Sequence, residues 1–300
     1  MEYHNPVMLE ECIEALDINP SGVYVDVTFG GGGHSKRILS DLNDEGRLIV
    51  FDQDSDALKQ ADLDDPKMTF VQSNFRFLKR FLDYHECIPV DGILADLGVS
   101  SHQFDDVERG FSFRDPSKKL DMRMNSKQEL DAIGVLNYYS ESELADVFHF
   151  FGELRNSKVL AKAIVSERKS ARLITVGDLL SVIEGVVKGM SNKFLAQVFQ
   201  AIRIEVNGEM QVLKEMLVAA GEVLKPGGRL VVMSYHSLED RIVKNYLKTG
   251  NVQGDIIKDE FGNIFRPFRL VNKKTTAPGA SEILVNPRAR SAKLRVAEKI

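Results

Sequence analysis

Four consecutive glycines, Gly30 to Gly33, lie in the stretch VDVTFGGGGHS (Val25–Ser35), with Asp26 just ahead of them and Asp52 22 positions after Gly30. Glycine loses more conformational freedom on folding than any other residue, so such a tract implies a tight turn or a ligand pressed against the backbone. Backbone amides at the entry to a helix favour electronegative ligand groups. A carboxylate at the end of the following strand can accept hydrogen bonds from two ribose hydroxyls. Asp96 closes the apolar run GILADLG, where a buried charge needs a partner, and it stands where a reacting group would be held. Ser234, Tyr235 and His236 close a second apolar run, RLVVMSYHS; they form either a structural hydrogen-bond cluster or a second chemical group. Asp96 and His236 are the candidate catalytic residues.

These groups need a scaffold that brings strand ends together. Apolar runs at Val23–Val27, Leu48–Phe51, Met68–Val71 and Ile93–Leu97 alternate with helix-like segments near Ser35–Leu42, Asp56–Leu63 and Phe75–Leu82. That alternation predicts a parallel sheet with helical crossovers. It stops between about Asp105 and Glu205, where a polar loop precedes helical stretches such as SESELADVFHFFGEL, SKVLAKAIVSERK, VGDLLSVIEGVVKG and KFLAQVFQAIRIEV. The alternation resumes with a helix over about Glu209–Leu224, ended by Pro226-Gly227-Gly228, a buried strand RLVVMSY and a helix near Leu238–Leu247. FRPFRLVN and RSAKLRVAE read as two last strands joined by a long loop. The expected organisation is a discontinuous α/β domain, 1–104 and 206–300, with a helical domain, 105–205, inserted.

Of the 300 residues 43% are hydrophobic, enough for a sizeable core. No apolar run approaches the roughly 20 residues of a membrane helix, and MEYHNPVMLEE lacks the basic start and apolar core of a signal peptide. Cys12 and Cys87 have neither metal-ligand nor disulfide spacing. A cytoplasmic protein with reduced thiols and no bound metal is expected. The net charge of −5 is unevenly spread: residues 1–104 carry 8 basic and 19 acidic side chains, whereas 264–300 carry nine basic and two acidic. A polyanionic partner is therefore compatible with the acidic whole. Arg155, Lys158, Lys162 and Lys169 recur at roughly helical spacing, as a solvated face or an RNA contact.

Two ligands suit the glycine loop and Asp52. The nicotinamide-dinucleotide fingerprint Gly-x-Gly-x-x-Gly/Ala meets Ser35 at its third place. An acidic residue ahead of the glycines, as Asp26 is, is the commoner pattern in S-adenosylmethionine (SAM) enzymes, and LKPGGRLVVMS resembles the turn before the fifth strand of many SAM-dependent methyltransferases. SAM is the expected cofactor, with S-adenosylhomocysteine as product.

Taken together, HNPVMLEE, TFGGGGHS, LADLGVSSHQFDDVERGFSFR, LDMRMN, FQAIRIEVN, LKPGGRLVVMSYHSLEDRIVK and NPRARSAKLR closely resemble the bacterial ribosomal small subunit methyltransferase H family, also called MraW. The resemblance spans nearly the whole chain. It implies a class I SAM-dependent methyltransferase, a Rossmann-like doubly wound sheet with a helical insertion, and methylation of the exocyclic N4 of one decoding-region cytidine in 16S rRNA. Its cofactor contacts fall on Gly32, Gly33, His34, Asp52, Phe75, Asp96 and Gln103. The family often has Pro where this chain has His102, and Phe where it has Tyr235.

Cytosine N4 is a poor nucleophile because its lone pair is delocalised into the ring. A methyltransferase must align it with the methyl donor and accept hydrogen bonds from the amine as it gains charge. The Asn-Pro-Pro-Tyr-like loop of many amino-group methyltransferases is replaced by Asp96-Leu97-Gly98-Val99-Ser100, so that analogy assigns no role. The target base must be unstacked. The expected partner is 16S rRNA within the 30S subunit, without membrane or DNA, contacted by Arg288 and Arg290 of NPRAR and by Arg155, Lys158 and Lys162. The rival readings are a small-molecule methyltransferase with the helices as a lid, and an RNA-binding assembly factor without turnover.

Overall fold

The structure, a computed structural model, describes residues 6–187, 189, 191–272 and 274–300. The first five residues, with His4 and Asn5 of HNPVMLEE, lie outside the described residues, as do Lys188, Met190 and Lys273. The chain divides into two compact units, Met1–Gly98 with Met210–Ile300, and Val99–Glu209.

The first unit is built on seven strands: β1 (Val23–Asp26), β2 (Arg47–Asp52), β3 (Met68–Gln72), β4 (Val90–Asp96), β5 (Leu224–Ser234), β6 (Phe268–Leu270) and β7 (Lys293–Lys299). Their order is β3-β2-β1-β4-β5-β7-β6. The first five are parallel, and β7 runs antiparallel to both β5 and β6. This is the class I Rossmann-like sheet. Its order reverses between β1 and β4, and ligands of open α/β sheets bind at the carboxyl ends of strands flanking such a reversal.

Residues alternate between the two faces. Val25, Ile49, Ile93 and Val232 join one buried cluster with Leu78, Leu82, Leu217 and Val243. Tyr24, Leu48, Leu94 and Met233 join the other with Cys12, Leu16, Ile38 and Leu39. Helices α1 (Leu9–Leu16), α2 (Gly33–Asp41) and the short α3 (Ser55–Leu58) therefore cover one face, and α4 (Leu78–Tyr84) the other. Burying both faces explains why the strands read as near-continuous apolar runs.

The second unit carries α5 (Ser101–Asp105), α6 (Ala132–Tyr138), α7 (Glu141–Phe150), α8 (Ser157–Glu167), α9 (Val176–Val186) and α10 (Asn192–Asn207). Three of these open with capping boxes, Ser100 with Gln103, Ser140 with Glu143 and Thr175 with Asp178, each reciprocally satisfying free helix-end donors. Leu195, Val198, Phe199 and Ile202 line one stripe of α10 and enter a core with Leu144, Phe148, Leu160 and Ile183. The polar loop before α6 is pinned by side chains. Arg109 donates to the carbonyls of Arg123 and Met124, and Asn207 accepts the Met124 amide and donates to the Met122 carbonyl.

Helices α11 (Glu209–Val223), α12 (Ser237–Thr249) and α13 (Ala280–Val285) follow; α11 and α12 contribute Leu213, Met216, Val243 and Leu247 to the core on the α4 side of the sheet. Three expectations need correction. The helix expected over Asp56–Leu63 ends at Leu58, after which the Lys59, Gln60 and Ala61 amides donate three residues back rather than four, in successive tight turns. The expected loop before the last strand contains α13, a single short helix. The boundaries of the helical unit fall at Val99 and Glu209 rather than 105 and 205, since Val99 packs on that unit's core.

Candidate active site at the strand ends

Asp26, Asp52, Asp96 and Ser234 are the last residues of β1, β2, β4 and β5, so the parallel register gathers them at one edge of the sheet. Asp26 is 1% exposed. Its Oδ2 accepts from Ser35 Oγ at 2.6 Å, and its Oδ1 accepts the Thr28 amide at 3.0 Å. Burial raises its pKa, and the Ser35 hydrogen bond is the main opposing effect. Of the two roles open to this carboxylate, meeting a ligand or orienting the loop, the structure displays the second.

Asp52 Oδ2 accepts the Gly30 amide at 2.8 Å and Oδ1 the Asp54 amide at 2.8 Å. A carboxylate has about four acceptor sites, so one on each oxygen stays available. Burial pushes this carboxyl up to about 6 against those two amide bonds. The glycine tract has a structural component too. A Cβ on Gly32, whose φ is +74°, would lie 2.7 Å from the Phe29 ring, and one on Gly33 would lie 2.2 Å from Pro6 Cγ. At those two positions the close neighbour is protein.

His34, at the start of α2, is 6% exposed. Its Nε2 lies 3.1 Å from the Val7 carbonyl, which only accepts, so that nitrogen carries a proton. Its Nδ1 stands 3.9 Å from Asp96 Oδ2, too far for a direct hydrogen bond. Asp96 is fixed by two bonds: its amide donates to Thr28 Oγ1 at 2.6 Å, and its Oδ1 accepts the Tyr235 hydroxyl at 2.7 Å. Its side chain stays 24% exposed, which leaves acceptor positions open. Burial pushes it up to about 6; His34 and the Tyr235 bond pull it down.

His236 is the N-cap of α12, in a capping box with Glu239. Its Nδ1 lies 3.5 Å from the Glu239 amide, a marginal bond. Its buried Nε2 is 3.2 Å from Glu239 Oε1, within ion-pair reach but outside hydrogen-bond geometry, and so is left unsatisfied. Phe75 opens a single turn capped by Asn74 and packs at the edge of the core. Gln103, 5% exposed, lies in the other compact unit, where its side-chain oxygen accepts the Ser100 amide.

Arg155, Lys158, Lys162, Lys169 and Arg290 are exposed and Arg288 is half-buried. Among the described residues the first four make no ion pair. Part of the C-terminal positive charge is internally compensated: Lys293 and Arg295 both meet Asp240, and Arg269 meets Glu298. Cys12 and Cys87 are both buried and unpaired, and burial pushes the Cys12 thiol well above its ordinary value.

The profile of the MraW methylase family matches residues 1–300. The chain belongs to that family. A Ribosomal RNA small subunit methyltransferase H from Bacteroides fragilis is 59% identical over 298 residues, covering 99% of this chain and 97% of its own. One of that name from Flavobacterium johnsoniae is 54% identical over 301 residues, covering 100% and 99%. Among solved structures, TrmN from Thermus thermophilus has a TM-score of 0.45 at 12% identity, over 98% of this chain and 48% of that one. A rRNA methylase from Streptococcus thermophilus has a TM-score of 0.39 at 12% identity, over 97% and 93%.

Three contributors were not singled out from this MraW-family sequence: Thr28, which ties the end of β1 to the end of β4, Ser35, and Glu239. An aspartate commonly accepts the backbone amide two residues on, as Asp26 does with Thr28, but nothing in the sequence marks the bond from the Asp96 amide to Thr28 Oγ1. The Tyr235 departure from the family pattern adds a hydroxyl where Phe has none, and that hydroxyl donates to Asp96 Oδ1.

Proposed function

We propose that this protein transfers a methyl group from S-adenosylmethionine to the exocyclic N4 of a decoding-region cytidine in 16S rRNA, with the 30S subunit as substrate. The support that carries the reading is full-length membership of the MraW family, with relatives named for small-subunit rRNA methylation. No described helix is long and apolar enough to cross a membrane, which suits a cytoplasmic enzyme on ribosomal particles.

The residues present fit the cofactor. Asp52 retains acceptor positions suited to ribose hydroxyls, Gly30 and Gly32 take positive φ (+54° and +74°) in the loop beside it, and Asp96 is open on the same edge. Gly32, Gly33, His34 and Phe75 complete the set that the family pattern assigns on this unit; the pattern also assigns Gln103. When bound, S-adenosylmethionine supplies an electrophilic methyl group on a sulfonium. Asp96 would accept a hydrogen bond from the N4 amine and stabilise the positive charge that develops on N4 as the new C–N bond forms and the methyl–sulfur bond breaks, with S-adenosylhomocysteine as the leaving group. N4 then releases one N–H proton to Asp96 or to water. Above a pKa of about 6 the carboxylate is mostly ionised at neutral pH, near the optimum for such a base. His236, held as a helix cap, is the weaker candidate for orienting the base. The helical unit, with exposed Arg155, Lys158 and Lys162, serves substrate recognition in this reading, together with Arg288 and Arg290.

The test is mass mapping of 16S rRNA from cells with and without the gene, followed by restoration with purified protein and S-adenosylmethionine. A cytidine that carries the N4-methyl group in both strains would remove the assignment.

A further inference from the structure

Tyr235 is the first residue after β5, and its placement is fixed at both ends. Its amide donates to Glu239 Oε2 at 2.8 Å, and the same oxygen lies 3.3 Å from the His236 amide. Glu239 is 2% exposed and belongs to the capping box of α12, so the turn that carries Tyr235 is anchored to that helix. The ring lies over Gly98, whose φ is +96°; a Cβ there would sit 3.7 Å from Tyr235 Cδ2. From this position the hydroxyl reaches Asp96 Oδ1 at 2.7 Å. A phenol donating to a carboxylate is a charge-assisted bond, shorter and stronger than a neutral one.

We propose that Tyr235 is the positioning residue for Asp96: its hydroxyl fixes the orientation of the carboxylate and favours the anionic form. The bond occupies one acceptor position on Oδ1 and leaves the Oδ2 positions toward His34 and the open edge. The inference rests on the methyl-transfer reading for its catalytic meaning, while its physical content concerns the ligand-free protein.

Several charged or titratable groups act on Asp96 from the elements around it. His34 on α2 favours the anion. Asp26 at the end of β1 and Glu239 on α12 oppose it, and Cys12 on α1 is coupled to the same carboxylate. Tyr235 is the one that donates to the carboxylate directly among the described hydrogen bonds. Tyr235→Phe therefore removes a single donor and keeps the ring that packs over Gly98. A hydrogen bond to a charged group contributes roughly enough to move a titration by about one pH unit.

The experiment is a carbon-13 titration of aspartate side-chain carboxyls in the ligand-free protein, with the Asp96 signal assigned by its loss in Asp96→Asn. In Tyr235→Phe the Asp96 midpoint rises by about one pH unit from its parental value near 6. A midpoint unchanged within about 0.3 units, far less than a charge-assisted bond supplies, overturns the proposal. Should Tyr235→Phe fail to fold, 3-fluorotyrosine at position 235 keeps the bond and donates more strongly, so the midpoint must fall; no movement overturns the proposal equally. Single-turnover methylation of 30S particles at saturating S-adenosylmethionine gives the functional arm: the acid limb of the pH–rate profile moves up with the midpoint, and Tyr235→Phe has no further effect in the Asp96→Asn background. If the parent methylates no rRNA, the functional reading fails and the titration still stands. If the parent methylates and neither midpoint nor acid limb moves, it is the role of Tyr235 alone that fails.

Discussion

Ser35 Oγ donates to Asp26 Oδ2 at 2.6 Å, joining the first turn of α2 to the end of β1 across the glycine loop. Both partners are fully buried, at 0% and 1% exposure. Removing one partner of a buried bond leaves the other desolvated without compensation. Ser35→Ala is therefore expected to destabilise the protein by about 1–3 kcal/mol, read as a lower urea midpoint at unchanged slope. An unchanged midpoint would mean that Thr28 alone satisfies Asp26.

Asp52 holds the Gly30 and Asp54 amides, and in the proposed function its remaining acceptor positions meet the ribose of the cofactor. Asp52→Ala is expected to weaken S-adenosylmethionine binding by about 1.5–3 kcal/mol, the value of hydrogen bonds to a charged group. Calorimetric titration of the folded variant checks this. Full affinity in Asp52→Ala would remove Asp52 from the cofactor site.

The sheet was legible in the sequence because both its faces are buried, which turns each central strand into an apolar run bounded by polar turns. Asp96 was read as closing its apolar run, and it is the last residue of Val90–Asp96; the first run, read as Val23–Val27, ends one residue earlier, at Asp26. Helix α13 was not legible. It is one short turn-rich segment whose Leu284 and Val285 are 83% and 81% exposed, so no apolar periodicity marks it. In the site, the glycine loop and Asp52 announced themselves by spacing. The Tyr235–Asp96 bond joins residues 139 positions apart, and only the neighbouring placement of β4 and β5 creates it. Gln103 was expected as a ligand contact, whereas its partnership with Ser100 is a local S-x-x-Q capping signal that the sequence also carried.

Asp52 and Asp96 both titrate near 6 in the folded protein, above the ordinary 3.8. Between about pH 4 and 6 the folded protein therefore holds protons that the unfolded chain has released, so these groups make stability fall as pH rises through that window. Carboxylates with lowered values, such as Asp121, Asp178 and Asp240, act in the opposite sense at lower pH, so the informative quantity is the difference between parent and variant. Relative to Asp96→Asn, the ligand-free parent should lose on the order of 2 kcal/mol more between pH 4.5 and 6.5, as a rough conversion of its titration. Identical pH dependence in urea denaturation would show that Asp96 is not held in a desolvating site.

The nine basic residues of 264–300 do not all remain available for RNA. Lys293 and Arg295 share Asp240 as partner, and Arg269 is paired with Glu298. Partly buried pairs of this kind yield to a stronger anion only after giving up their own Coulomb energy. Arg290 is exposed and Arg288 half-buried on the turn before β7, and these two are the cations of NPRAR proposed to meet phosphate. On the helical unit Lys158 and Lys162 lie one turn apart on α8, exposed and without ion pairs among the described residues. Removing one cation that neutralises a phosphate should flatten the log–log salt dependence of RNA binding by about 0.7–0.9. Arg288→Ala with Arg290→Ala, and separately Lys158→Ala with Lys162→Ala, should therefore each lower the slope by about 1.4–1.8 and leave cofactor affinity unchanged. Binding of 30S particles across a salt series separates the alternatives. If only the first pair flattens the slope, the RNA lies against the C-terminal turn and α8 is a solvated face; if only the second does, the helical unit provides the electrostatic attraction. Parental slopes in both pairs would mean that the RNA touches neither set.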